Sequence, residues 1–242
     1  MPFTSDHKNE FSAQWYSLFM DTMPREGTES EVALVERFMP VAQFPRILDV
    51  CCGSGRHSLE LADRGHSIVG IDSNPAAVAQ ARAAAQGRAV RFEVADMRAL
   101  AGVAGDFDGV VNLWHSFGYF SDEENAEVVR QIRAKLRLGG RFILDIYNRE
   151  HFALVPRIRI HEKDGIRVET EYAWNGKRMS CELRYPNGEH DLFEWRLYTP
   201  DEVVALAAET GFRSLLTCAW CTPGMAPSSE HARMQFVLER LT

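Results

Sequence analysis

The chain is expected to fold as an α/β protein, a mostly parallel sheet flanked by helices with an antiparallel β-meander inserted late in the sequence. Three observations carry this. Short apolar runs alternate with helical patterns from Ile47 to Tyr147, the sequence form of parallel strands joined by crossover helices. From about Arg157 to Tyr198 the pattern becomes polar–apolar alternation, broken by the dipeptides Asp164-Gly165, Asn175-Gly176 and Asn187-Gly188. Such dipeptides are hairpin signals because the central positions of the tight turns they favour require φ > 0. A helical pattern and two further strand-like runs then resume the first arrangement.

Taken in order, residues 8–23 place Phe11, Trp15, Leu18 and Phe19 at helical spacing and predict an amphipathic N-terminal helix. Thr28-Glu-Ser-Glu31 reads as a capping box opening a helix whose stripe is Val32, Val35, Phe38 and Met39, ending at Pro40. Ile47–Val50 is a buried strand, Gly53-Ser54-Gly55 a tight turn, and His57–Ala62 the start of a helix. Ser67–Asp72 is a second strand. Asn74-Pro75 caps a helix running through Ala85 and closed by Gly87. Val90–Ala95 and Phe107–Leu113 are the third and fourth strands. Ser121-Asp-Glu-Glu124 caps a helix stopped by Gly139-Gly140, and Arg141–Tyr147 is the fifth strand. Thr199-Pro200-Asp-Glu202 opens a last helix closed by Gly211, followed by strands over 212–220 and 233–239. Residues 1–156 and 199–242 therefore form one domain, with 157–198 as an inserted subdomain.

Composition narrows the class of partner. The 242 residues are 45% hydrophobic, enough for a substantial core. The net charge of −7 argues against sequence-independent nucleic-acid binding, which needs a basic face. No run approaches the ~20 apolar residues of a membrane span, and the N-terminus lacks the apolar segment of a signal peptide. Five cysteines without framework spacing fit a reducing, cytoplasmic setting. Cys218 and Cys221 form a C-x-x-C pair with no companion ligands, so they read as ordinary thiols, and no metal site is expected.

The densest chemistry is Ile47-Leu-Asp-Val-Cys-Cys-Gly-Ser-Gly-Arg56. Glycines 53 and 55 let backbone amides approach a ligand at the positive end of a helix. Asp72 ends the second strand, where a carboxylate can take both hydroxyls of a ribose. Asp96-Met97 follows the third strand and suits the edge and face of an adenine. A dinucleotide-binding enzyme also carries an acid like Asp72, but it wants G-x-G-x-x-G, and Ser58 stands at the third glycine's place. Asp49 beside the loop would repel a pyrophosphate and suits a cationic ammonium instead. These strand ends resemble the class I S-adenosylmethionine-dependent methyltransferases. The stretches Cys-Cys-Gly-Ser-Gly-Arg-His and Asn112-Leu-Trp-His-Ser-Phe-Gly-Tyr-Phe120 resemble bacterial small-molecule members, N-methyltransferases of amino sugars among them. The resemblance covers Ile47–Tyr147 well, the tail from Thr199 moderately and the insertion poorly.

The resemblance implies a Rossmann-like seven-stranded sheet in the order 3-2-1-4-5-7-6, with strand 7 antiparallel. It also implies S-adenosyl-L-methionine as donor and S-adenosyl-L-homocysteine as product. The resemblance further implies that the N-terminal helix folds over the site as a lid, and the expected donor-binding residues are Tyr16 of that lid, Asp49, Cys51, Gly53, Gly55, His57, Asp72, Ser73, Asp96, Met97, Asn112, Leu113 and Trp114. His115, whose ordinary pKa of ~6.5 suits proton removal near neutrality, is the candidate base, against a purely structural role. Tyr119 is an acid/base or anchoring candidate, or simply wall. The expected function is methyl transfer to a small-molecule acceptor, foremost an amine nitrogen, with the meander on the acceptor side and in subunit pairing as a homodimer. Transfer to RNA or protein, and a relative that binds the donor without reacting, stay open.

Overall fold

A computed structural model describes residues 8–20, 25–163 and 165–241. Residues 21–23 of the expected N-terminal helix and Asp164 of the first hairpin turn lie outside the described residues. The main sheet comprises β1 (Arg46–Val50), β2 (Ser67–Asp72), β3 (Val90–Val94), β4 (Phe107–Asn112), β5 (Leu136–Tyr147), β10 (Phe212–Ala219) and β11 (Arg233–Arg240). Their order is β3-β2-β1-β4-β5-β11-β10, with β11 antiparallel to both neighbours. This is the expected 3-2-1-4-5-7-6 arrangement. Crossover helices α3 (Arg56–Asp63), α4 (Pro75–Ala84) and α5 (Asp122–Lys135) carry the chain between the parallel strands. One core lies between the sheet and α5 with α7 (Pro200–Glu209), around Val110, Ile132, Phe142 and Phe236. The opposite face packs Ile47, Leu61 and Val111 against Val35 and Met39 of α2 (Arg25–Phe38) and its end.

The insertion is a separate four-stranded antiparallel sheet: β6 (Ile158–Lys163), β7 (Ile166–Asn175), β8 (Arg178–Arg184) and β9 (His190–Arg196). Its inner face shares a third core with Leu18 of the N-terminal segment and with Phe152 of the short helix α6 (Arg149–Phe152). Gly176 and Gly188 take the positive φ anticipated for the turns. Asn175 does not, because the register ends β7 on it and leaves Gly176-Lys177 as the two-residue loop.

Three local expectations change. The N-terminal segment is one α turn, α1 (Ala13–Trp15), capped by Ser12 and running directly into a π-helical turn over Tyr16–Met20. α2 already includes Arg25, so Thr28 is not its cap, and the Thr28 hydroxyl instead accepts a hydrogen bond from Arg56 at 2.7 Å. α5 stops at Lys135, and Leu136 pairs with Phe107 ahead of Gly139-Gly140, which lie inside an irregular start to β5. The capping boxes at Ser121 and Thr199 form as expected.

Candidate active site

The site begins where β1 ends. Cys51, Gly53 and Gly55 all take left-handed φ, of 63°, 55° and 88°, which folds the loop tightly before α3. A Cβ on Gly55 would sit 2.7 Å from the Phe92 ring, so only glycine fits there. At the end of β2 the Asp72 carboxylate accepts from the amides of Gly53 (2.9 Å) and Asn74 (2.8 Å), tying the loop to the start of α4. Burial raises its pKa despite these bonds. Asp49 is 1% exposed and accepts from the Ser58 hydroxyl at 2.6 Å. Burial pushes its pKa up to about 7, the mark of a carboxylate poorly compensated by cations.

A buried charge cluster braces the loop from behind. Glu31 on α2 meets Arg56 Nη1 at 2.7 Å, His57 Nε2 at 2.6 Å and Arg233 Nη2 at 2.6 Å. Burial raises the Glu31 pKa, but the His57 hydrogen bond and the charges of His57, Arg233 and Arg56 outweigh it and hold the carboxyl well below the usual range. An ionised Glu31 can only accept, so His57 Nε2 is the protonated nitrogen. Arg233 also grips Asp145 on β5, which accepts from Gln235 Nε2 at 2.7 Å.

Asp145 shapes the loop after β4. Its carboxylate accepts from the Trp114 amide (2.9 Å) and its carbonyl from the His115 amide (3.1 Å). Those bonds hold both residues at positive φ, 65° and 67°, a strained conformation for side chains of this size. His115 stacks on Tyr147 with centroids 3.9 Å apart, and its Nε2 is buried without a hydrogen-bond partner. Burial lowers its pKa to about 3, so the imidazole is neutral at any physiological pH. Tyr119 is driven far up by burial and keeps its proton.

The N-terminal segment and the meander add two further walls. Ser12 donates to the Asp191 carboxylate of β9 through its amide (3.1 Å) and hydroxyl (2.7 Å), and Tyr185 donates to the same group at 2.6 Å. Asn9 bonds Leu192 and Glu194 of the same strand. The segment so anchored brings Phe11, Trp15, Tyr16 and Phe19 over a cavity of about 320 Å³. The glycine-loop side supplies Cys51, Gly53, Arg56, His57 and Asp72, the β4 loop Leu113–Ser116 and Tyr119, and the meander His161, Thr170, Tyr172, Cys181, Phe193 and Trp195.

Of the residues singled out from sequence, Tyr16, Cys51, Gly53, His57, Asp72, Leu113, Trp114, His115 and Tyr119 therefore line one cavity. Asp49, Gly55, Ser73, Asp96, Met97 and Asn112 are not among its lining residues. Asp96 is paired with Arg98 at the surface beyond β3, and Met97 lies behind Cys51 with the sulfurs 3.8 Å apart. Asn112 donates to the Val50 carbonyl (2.9 Å), leaving its buried Oδ1 without a partner. Sequence reasoning missed Glu31 and Arg233, whose spacing of 202 residues carries no local signal, and the Tyr147 ring beneath His115. Among the described residues no acid, His and Cys cluster suits a metal ion, and no helix is long and apolar enough to cross a membrane.

Comparison with known proteins agrees with this geometry. A family profile described as a methyltransferase domain matches residues 47–140. A protein of Geobacillus sp. (strain WCH70) assigned by name to the methyltransferases is 31% identical over 248 residues, spanning 96% of this chain and 99% of its own. An S-adenosylmethionine-dependent methyltransferase from Clostridium acetobutylicum superposes with a TM-score of 0.78 at 16% identity, covering 95% of this chain and 97% of its own. CalS10 from Micromonospora echinaspora, an amino pentose methyltransferase with S-adenosylmethionine bound, gives 0.73 at 22% identity over 97% and 99%. The residues present fit that donor: an undercompensated Asp49 suits a cation, Asn112 Oδ1 is an orphaned buried acceptor, and a Cβ built on Gly53 meets nothing within 4 Å, leaving open space beside its amide. The chain belongs to the class I S-adenosylmethionine-dependent methyltransferases.

Proposed function

We propose that this methyltransferase acts on a small-molecule acceptor, foremost at an amine nitrogen. The carrying observation is the cavity itself, about 320 Å³ and walled jointly by lid, donor loop and meander, at the small end of the ~300–1,000 Å³ usual for ligand pockets. Asp72 would take the ribose hydroxyls, with Ser73 beside it and Asp96 and Met97 toward the adenine. Gly53, Gly55 and Cys51 would shape the loop against the donor, Asp49 would answer its ammonium charge, and Tyr16 would cover it. Asn112, Leu113 and Trp114 would lie along its methionine part. His57, committed to Glu31, would brace the loop rather than contact the donor. When bound, the donor supplies an activated sulfonium methyl, so the protein's tasks are alignment and exclusion of water.

The chain's own groups suit a neutral nucleophile. His115 is too weak a base to store a proton, but a neutral imidazole nitrogen without a partner can accept a hydrogen bond from an acceptor N–H and orient the lone pair. An amine in its neutral form needs no stronger help. Tyr119, protonated and against the sheet core, serves as wall and donor. The meander also lines the cavity, which supports its facing the acceptor. The test is to incubate the pure protein with methyl-labelled S-adenosylmethionine and a fractionated cell extract. Label in a low-mass amine is the expected outcome; label confined to RNA or protein would overturn the reading.

A further inference from the structure

The cavity is lined by rings that meet one another in a closed circuit. Phe11 meets Trp15 (centroids 4.5 Å apart), Trp15 meets Trp114 (5.9 Å), and Trp114 meets His115 (5.3 Å). His115 stacks on Tyr147 (3.9 Å), Tyr147 abuts Trp195 edge-on (5.5 Å), Trp195 meets Phe193 (5.5 Å), and Phe193 returns to Phe11 (4.8 Å). Every member lines the cavity, yet they come from four separate places: the lid, the β4 loop, the end of β5, and β9. Chain neighbours cannot account for such a circuit, which exists only in the assembled site.

We propose that the acceptor is a planar aromatic or heteroaromatic molecule, held by stacking inside this belt with its reactive atom at His115. The proposal deepens the small-molecule reading above and rests on it. Ring faces and edges complement another π-system at offset-stacked and edge-on distances, and these rings already meet one another in those arrangements. A polyhydroxylated acceptor would need a polar partner for each hydroxyl it brings out of water, and the belt offers chiefly carbon. An organic cation is the other guest that aromatic cages select. Here the Arg56 guanidinium already lies over the Trp114 ring, 5.4 Å from its centroid, and takes the place a guest cation would fill on that ring. Within the belt His115 Nε2, buried and without a partner, gives the ring's substituent a polar anchor.

The experiment uses the full chain saturated with S-adenosylhomocysteine, titrated calorimetrically with 2-naphthylamine, 1-naphthol, glucosamine and tetramethylammonium. The two naphthalenes are expected to bind at least about tenfold more tightly than the other two, and Trp195→Leu should weaken them by about tenfold while leaving S-adenosylhomocysteine affinity within about twofold. Should Trp195→Leu fail to fold, Phe193→Leu carries the same expectation. Glucosamine or tetramethylammonium binding as tightly as the naphthalenes, no naphthalene binding, or ring variants that bind as well as the wild type would each overturn the proposal. Methyl transfer separates the two readings. Methylation of naphthol alone keeps the belt and ends the amine assignment; methylation of glucosamine without naphthalene binding does the reverse.

Discussion

Two buried carboxylates near the donor loop meet opposite fates, and the difference is one of partners. Glu31 has two guanidinium groups and an imidazole against it, whereas Asp49 has a serine hydroxyl. With its pKa near 7 against about 3.9 in an unfolded chain, Asp49 binds its proton more tightly when folded. Stability is therefore lost as pH rises from about 4 to about 7, and the loss is complete above that. Asp49→Asn should be more stable than wild type at pH 8, by on the order of a few kcal/mol, and no more stable near pH 4, while binding S-adenosylmethionine more weakly. Urea unfolding at the two pH values reads the first effect; equal stability gains at both would exclude a buried ionised Asp49. Asp72→Ala should weaken donor binding by roughly 2 kcal/mol or more, through loss of charge-assisted hydrogen bonds, and calorimetry on the folded variant checks it. Asp72 and the glycines were readable from sequence because a strand end and a turn are local. Glu31 was not: as the third residue after Thr28 it imitates a capping box, and Arg56 and Arg233, which overrule that reading, arrive from distant parts of the chain.

At the level of elements, strand and helix identities were legible almost throughout, since periodicity and caps such as Ser121, Thr199 and Asn74 act within one turn. The N-terminal segment was less so. Its apolar stripe fits a helix, but the Ser12 cap, the aromatic neighbours on β9 and the π turn decide where it lies, and those are tertiary effects. How the meander docks was equally invisible. Gly118, in the β4 loop, accepts from the Arg196 amide at 2.7 Å, and its φ of 101° brings a would-be Cβ to 2.5 Å from the Arg196 carbonyl oxygen. Gly118→Ala should cost roughly 1–3 kcal/mol from strain alone and loosen β9 from the parent domain. A denaturation midpoint unchanged from wild type would show that this seam tolerates a side chain.

The whole molecule brings two sheets together over one cavity, with the glycine loop on the larger and the N-terminal segment fastened to the smaller. Ligand binding should register on the stability of the whole chain. S-adenosylmethionine and S-adenosylhomocysteine, at about a hundredfold excess over Kd, should each add ~2.7 kcal/mol, and NAD none. Thermal unfolding with the three ligands checks this, and stabilisation by NAD alone would contradict the donor assignment. The sheet order was anticipated through the resemblance, since strand periodicity alone cannot say that β11 slips between β5 and β10.

The Asp191–Ser12 attachment has a kinetic meaning. The ring circuit runs through Phe11 and Trp15, so lifting residues 9–20 would widen the mouth of the site. Lifting breaks the hydrogen bonds from Ser12 and Asn9 to β9. Opening of the site at that edge and local unfolding of the N-terminal segment then share one barrier. Weakening that attachment, as in Asp191→Asn, should quicken amide exchange across 9–20 and product departure together, and an unchanged release rate beside faster exchange would uncouple the two.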